Sequence, residues 1–232
     1  MKPEAPKSFK IEIYSDVVCP WCYVGKRYIE SALAYYRNAY PDEIQPEVHW
    51  MPYQLHASLP REGVDRHEYL KRRYPGQANS VEMFAAVIKA GHRMGIQYNF
   101  DRIRVQPNTT DAHRLMRYAE QRGVREDVVE GLFRAYFVEG RNLSDQAELV
   151  AIAESAGLAR GEVVPYLESE VDVEWVREVD ARAKYLGITT VPFMVLNGRK
   201  GASANMPPDR IFEALRWARK DFARPKWLPR FL

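Results

Sequence analysis

Two cysteines are all the thiol this 232-residue chain holds, and both fall within four residues, at Cys19 and Cys22. That scarcity excludes a disulfide framework, and a chain of this length buries enough core to fold without one. An ordinary zinc site is excluded as well. There is no second cysteine pair, and the five histidines, His49, His56, His67, His92 and His113, show no metal-ligand spacing. No metal and no cofactor is expected. Long apolar runs are missing: none approaches the roughly 18 residues a membrane span requires. The opening MKPEAPKSFK has no apolar signal-peptide core, which reads as a cytoplasmic protein. A surplus of one charge is missing too. The 34 basic and 31 acidic side chains leave +3, with the signs interspersed. The one basic run, Lys71-Arg72-Arg73, lies beside Asp65 and Glu68 and has no companion, so neither nucleic acid nor a membrane is an expected partner. What is present, 46% hydrophobic and 28% charged residues, is the composition of an ordinary globular protein.

Along the chain, Phe9, Ile11 and Ile13 alternate with Lys10, Glu12 and Tyr14, the period of a half-buried strand. Cys22, Ile29, Ala32, Leu33 and Tyr36 then recur at helical spacing before Pro41, and residues 44–51 alternate again, completing a β-α-β unit. From about residue 66 to 186 the pattern is helical with almost no strand candidates. Apolar stripes begin at Met83, Ala112, Val128, Leu149 and Trp175, four of them closed by Gly95, Gly123, Gly157 and Gly187, and Leu186 is the last core position of the fifth. Strand character returns in TTVPFMVLNGRKGAS, where Asn197-Gly198 is a strong hairpin signal. A final amphipathic helix starts near Pro208-Asp209 and carries Ile211, Phe212, Leu215 and Trp217. The order predicts one mixed sheet assembled from the two ends of the sequence, with the helices between them as an insertion.

The cysteine pair sits where the first strand gives way to the first helix. Pro20 suits the first helical position, since its φ is preset and its missing N–H would go unpaired there anyway. That places Cys19 at the helix start, where free N–H groups and the helix dipole favour an anion, so its thiolate is expected to be stabilised relative to a free thiol. Cys22, one turn on and in register with Ile29 and Leu33, is expected to face the core. Cys19 then attacks a disulfide and Cys22 resolves the mixed disulfide that forms. A structural disulfide here would close too short a loop to add much stability.

With CPWC after a strand, a helical insertion and a late TVP before a hairpin, the chain resembles the thioredoxin superfamily in its DsbA-like branch. SDVVCPWCYVGK, NTTDAHRLMRYAEQRG, LFRAYFVEGRNLSD and GITTVPFMVLNGRKGAS are similar, in the same order, to the FrnE-like group. The resemblance implies an α/β thioredoxin-like fold, β-α-β then β-β-α, with a large inserted all-helical domain. Its boundaries fall at 1–62, 63–187 and 188–232. It also implies that Pro192, after Val191, is a cis-proline lying against the cysteines, leaving Val191 to pair with an extended peptide or thiol ligand. Pro20 and Trp21 would stand on the docking surface, Trp21 exposed. Asp16 matches the family's SD segment and is a candidate modulator of proton transfer, although a loop or capping role is its ordinary reading. Asn108 and His113 match a helix start in the family and are further candidate modulators. There Thr109 or Thr110 reads as the cap, and His113 as a structural histidine unless it faces the cleft. Lys26 and Arg27 read as a solvated face. Some members of the group carry a further cysteine pair that this chain lacks, so recharging must come from an external thiol, disulfide or small molecule.

The expected activity is thiol–disulfide exchange on protein or low-molecular-weight thiols and disulfides, glutathione among them, by a monomer or homodimer. The competing reading is a glutathione-dependent isomerase or transferase, because 2-hydroxychromene-2-carboxylate isomerases and kappa-class glutathione transferases share this architecture. Those typically carry serine at the position of Cys19. A non-catalytic chaperone or docking module is the third reading.

Overall fold

The computed structural model describes residues 8–74 and 80–223, so residues 1–7 and the side chain of Met83, read above from the sequence, lie outside the described residues. Strand β1 (Ser8–Ser15) buries Phe9, Ile11 and Ile13 on one side, as its alternation predicts. Helix α1 (Pro20–Ala39) carries the chain back to β2 (Gln45–Pro52), which pairs with β1 in parallel from Ser8 opposite Gln45 to Ser15 opposite Pro52. A parallel pair needs a long crossover, and α1 supplies it.

The middle segment contains two short strands that the sequence pattern does not announce. β3 (Val64–Asp65) precedes α2 (Arg66–Arg73) and α3 (Ser80–Arg93), and pairs antiparallel with β4 (Val105–Gln106). Two residues each are too few to show an alternation. Next come α4 (Thr110–Glu120) and α5 (Arg125–Arg134), which runs into a wider turn over Ala135–Glu139, then α6 (Gln146–Ser155), α7 (Arg160–Glu168) and α8 (Val173–Tyr185). The pattern misses α7, because Pro165 lies inside it and only Val163 and Leu167 face the core. Leu186 is not core: it is 60% exposed, just past the last turn of α8.

β5 (Phe193–Leu196) runs antiparallel to β1, with Ile11 opposite Leu196 and Tyr14 opposite Phe193, and β6 (Lys200–Ser203) closes the sheet in the order β2-β1-β5-β6. Asn197 and Gly198 both adopt positive φ, +52° and +66°, the pair a tight two-residue hairpin turn requires. α9 (Pro208–Ala223) packs beside α1, over the sheet face that presents Phe9, Ile11, Ile13, Met194 and Leu196. The opposite face presents Tyr14, Met51, Phe193 and Val195 to α8. Among the described residues no helix is long and apolar enough to cross a membrane.

One buried cation holds the helical part together. Arg114 on α4 is fully buried and reaches the end of α7, donating to the carbonyls of Tyr166 at 2.6 Å, Leu167 at 3.2 Å and Ser169 at 2.7 Å, and to Val171 O at 2.6 Å. The last carbonyls of a helix have no partner within it, and the guanidinium supplies one from outside. Asp111 Oδ1, 2.6 Å away, balances the charge. Arg114→Met is expected to lower unfolding free energy by about 3–5 kcal/mol, the usual result of removing one partner of a buried ionic cluster. Arg114→Lys should recover less than half of that, because one ammonium cannot span four carbonyls. Chemical denaturation monitored by circular dichroism reads both.

Candidate functional site

The site is built where β1 ends. The chain turns through Asp16, Val17 and Val18, and the N–H of Cys19 donates to Asp16 O at 3.0 Å, closing the turn. Cys19 caps α1 with extended backbone (φ −90°, ψ 111°) and Pro20 occupies the first helical position, as the sequence predicts. Both cysteines are reduced. Cys19 retains 6% of its surface and Cys22 none, so only the first residue keeps any contact with solvent. Burial pushes the Cys22 thiol well above its usual pKa. The hydrogen bond and charge of Cys19 push the same way, partly offset by the Ser15 hydroxyl and the Asp16 N–H beside it. Cys22 is therefore a protonated thiol held in reserve.

The Val191–Pro192 bond is cis, and the Cys19 thiol donates to Val191 O at 3.6 Å. Pro192 O accepts from Ala204 N at 2.9 Å, which ties this loop to the end of β6. Trp21 is half-buried, packed against the core, a correction to its expected exposure. Pro20 and Val191 are also half-buried.

Asp16 is 1% exposed, and its Oδ2 accepts from Leu55 N at 2.7 Å, pinning the segment after β2. His113, on the first turn of α4, is likewise 1% exposed and does not open to the cleft. Neither ring nitrogen has a hydrogen-bond partner, and Nε2 lies 3.7 Å from Asp16 Oδ1. Asp16 and His113, assigned separately from the sequence, thus form one buried pair. Asn108 does the capping expected of Thr109 or Thr110: its Oδ1 accepts from Thr110 N at 2.9 Å while its Nδ2 donates to Leu59 O at 2.7 Å. Thr109 makes no side-chain cap, and Thr110 Oγ1 accepts from Gln54 Nε2 at 3.0 Å.

Lys26 and Arg27 are not a solvated face. The Lys26 side chain is 2% exposed and pairs with Glu30 and, at 2.9 Å, with Glu130 of α5. Arg27 also pairs with both carboxylates. Tyr23 stacks on Phe133 at 5.0 Å and donates to Glu130 at 2.8 Å. Burial opposes charge on Glu130, but Lys26 and the hydrogen bonds from Tyr23 and Arg27 outweigh it and leave the carboxyl below its usual range.

The sequence reading passes over Tyr98, Gly25 and Ser15. Tyr98, after α3, donates to Pro20 O at 2.6 Å, so the helical segment grips the first turn of α1. Nothing in local sequence announces that contact. Gly25 does leave a signal, because glycine in a helix interior costs about 1 kcal/mol relative to alanine and needs a reason. The reason is that a Cβ there would lie 2.6 Å from Pro192 Cγ and 3.2 Å from Ala204 O.

A family model described as the DSBA-like thioredoxin domain matches residues 10–216. Among solved structures, a probable DsbA oxidoreductase, SCO1869 of Streptomyces coelicolor, is 30% identical and superimposes with a TM-score of 0.82, over 96% of this chain and 94% of that one. The uncharacterized protein YwbO of Bacillus subtilis is 27% identical over 80% of this chain and 86% of its own length. The cytosolic disulfide reductase DsbM of Pseudomonas aeruginosa, solved with GSH, shares the fold at 16% identity and a TM-score of 0.63, over 90% of this chain and 98% of that one.

Gly25→Ala is expected to push the Pro192 loop off the start of α1, at a cost of about 1–3 kcal/mol for overpacking. Cys19 would be uncovered. Its alkylation by iodoacetamide, read by mass spectrometry, should speed up several-fold. An unchanged rate and melting temperature would mean the loop yields without moving.

Proposed function

The chain belongs to the family of DSBA-like thioredoxin domains, and from that premise we propose that it is a thiol–disulfide oxidoreductase whose active centre is Cys19 and Cys22. The observation that carries this reading is the unequal burial of two neighbouring thiols: Cys19 keeps 6% of its surface at the helix start, and Cys22 keeps none. Cys19 attacks a substrate disulfide, forming a Cys19–substrate disulfide and releasing one substrate thiolate. Cys22 then attacks Cys19 Sγ, the enzyme disulfide forms, and the second substrate thiolate leaves and is protonated. Two electrons pass from the dithiol to the substrate, and the reverse sequence oxidises a dithiol substrate.

Pro192 and Val191, with Pro20 and Trp21, form the docking edge in this reading. Val191 O, which accepts from the Cys19 thiol in the reduced protein, lies where a bound chain would meet the nucleophile. Asp16, whose backbone N–H lies beside the Cys22 sulfur, and His113, which pairs with Asp16, are the modulators of proton transfer in this reading. Asn108 acts indirectly, by fixing the start of the helix that carries His113. No cofactor enters, because the sulfurs themselves hold the electrons. The substrates are protein or low-molecular-weight disulfides, and the recharging partner is an external thiol of the cytoplasm. Glutathione is the first to test, given the fold shared with a disulfide reductase solved with GSH.

The glutathione-dependent isomerase or transferase reading gives Cys22 no task, and a nucleophilic cysteine would compete with bound glutathione. Two variants separate the readings. Cys19→Ser should abolish disulfide turnover, by at least about a hundredfold, because the one thiol left, Cys22, is fully buried. Cys22→Ala should accumulate mixed disulfides on Cys19, visible by intact-mass spectrometry after expression in cells. Isomerase or transferase activity surviving in both variants would transfer the assignment to the competing reading. A Cys22→Ala protein free of adducts would overturn the exchange mechanism.

A further inference from the structure

We propose that Ser15 is a catalytic residue of the dithiol: its hydroxyl donates a hydrogen bond to the Cys22 sulfur while that sulfur is an anion, and so speeds the release of substrate captured on Cys19. The inference rests on the thiol–disulfide reading above and deepens it.

Ser15 is the last residue of β1 and follows Phe9, Ile11 and Ile13 on the same face of the strand, the face that α1 covers. Every other member of that row is apolar and buried. An alanine or valine would continue the row at no polar cost. Serine instead puts a hydroxyl where 1% of the residue is exposed, and its Oγ has no hydrogen-bond partner of good geometry. An unsatisfied buried donor is a standing cost, and such a group calls for an explanation.

The explanation lies in what the hydroxyl faces. Beside it is the Cys22 sulfur, fully buried, with the Asp16 N–H on the same atom. A thiol is a weak acceptor, so in the dithiol state the hydroxyl has little to bond to. A thiolate is a strong one, and hydrogen bonds to an ionised acceptor are roughly twice as strong as neutral ones. The interaction is therefore poor in the resting state and good at the moment of attack. That difference is what accelerates a step, because an interaction equally strong before and during reaction would not.

The step balances within the protein. The Cys22 thiol gives up its proton as it attacks, and one proton ends on the departing substrate sulfur. The Cys22 sulfur attacks Cys19 Sγ, the Cys19–Cys22 bond forms and the Cys19–substrate bond breaks. The substrate leaves as thiolate and is reprotonated, so no outside oxidant or reductant is consumed in resolution.

The test is stopped-flow reaction of the reduced full-length protein with 5,5′-dithiobis(2-nitrobenzoate), following the coloured thiolate. Attack by Cys19 releases the first equivalent at a rate that scales with reagent. Resolution by Cys22 releases the second at a rate that does not. Ser15→Ala is expected to slow the second phase about tenfold and leave the first unchanged, the loss expected for one charge-assisted hydrogen bond. Ser15→Thr, which restores the hydroxyl, should return the second phase to within about threefold of the parent. If the alanine variant does not fold, Ser15→Gly removes the same hydroxyl and is read in the same way. An unchanged second phase, equal slowing of both phases, or a threonine variant as slow as alanine overturns the role of Ser15. A parent protein lacking a reagent-dependent first phase would instead sink the exchange mechanism itself, so the two failures are distinguishable.

Discussion

The double pairing of β1 is the constraint on which the site depends. On one edge it binds β2 in parallel, which requires α1, starting at Pro20 after one tight turn, to cross over the sheet. On the other it binds β5 antiparallel, which delivers Val191 and Pro192 to the end of β1 where α1 starts. Cys19 and its carbonyl partner are 172 residues apart in sequence and 3.6 Å apart in space because a single strand registers both neighbours. Gly25 permits the final approach by presenting no Cβ to Pro192. A register shift of one residue on either edge would turn every side chain of the strand to the wrong face, which is why the hydrophobic row of Phe9, Ile11 and Ile13 is also what aligns the chemistry.

Several polar side chains from the end of β1, α1 and the start of α4 are buried. Ser15, Asp16 and His113 are each 1% exposed, and Lys26 is 2% exposed. Lys26 is neutralised by Glu30 and Glu130, with Tyr23 and Arg27 completing that network, and so it fastens α1 to α5. The Ser15 hydroxyl and the ring nitrogens of His113 are not satisfied in the same way. The contrast separates buried polar groups that tie elements together from buried polar groups left without a hydrogen-bond partner.

Much of this was legible in the sequence. The alternation of β1, the crossover helix, the hairpin at Asn197-Gly198 and the glycine-closed helices all arise from local rules, since period, turn chemistry and helix stops are properties of a few adjacent residues. Position in the site was less legible. Lys26 and Arg27 read as solvated because charge usually is, and only the arrival of Glu130 from another helix reverses that. Trp21 reads as exposed from its place between the cysteines, yet it packs against the core and is half-buried. Leu186 extends an apolar stripe one position beyond the last packed turn. Asp16 and His113 are ordinary residues until β1 and α4 meet.

The amino-acid order by itself determined that a proline-started helix carries a cysteine at its cap and a second cysteine on its buried face, because capping and the 3.6-residue repeat act over a single turn. It determined equally that strands at the two ends of the chain would enclose a run of helices. Tertiary structure alone decided what surrounds those sulfurs: the Val191 carbonyl, the Tyr98 clamp, the paired Asp16 and His113, and the stranded hydroxyl of Ser15. Those are contacts between segments far apart in the chain, and no local pattern encodes a distance across the fold.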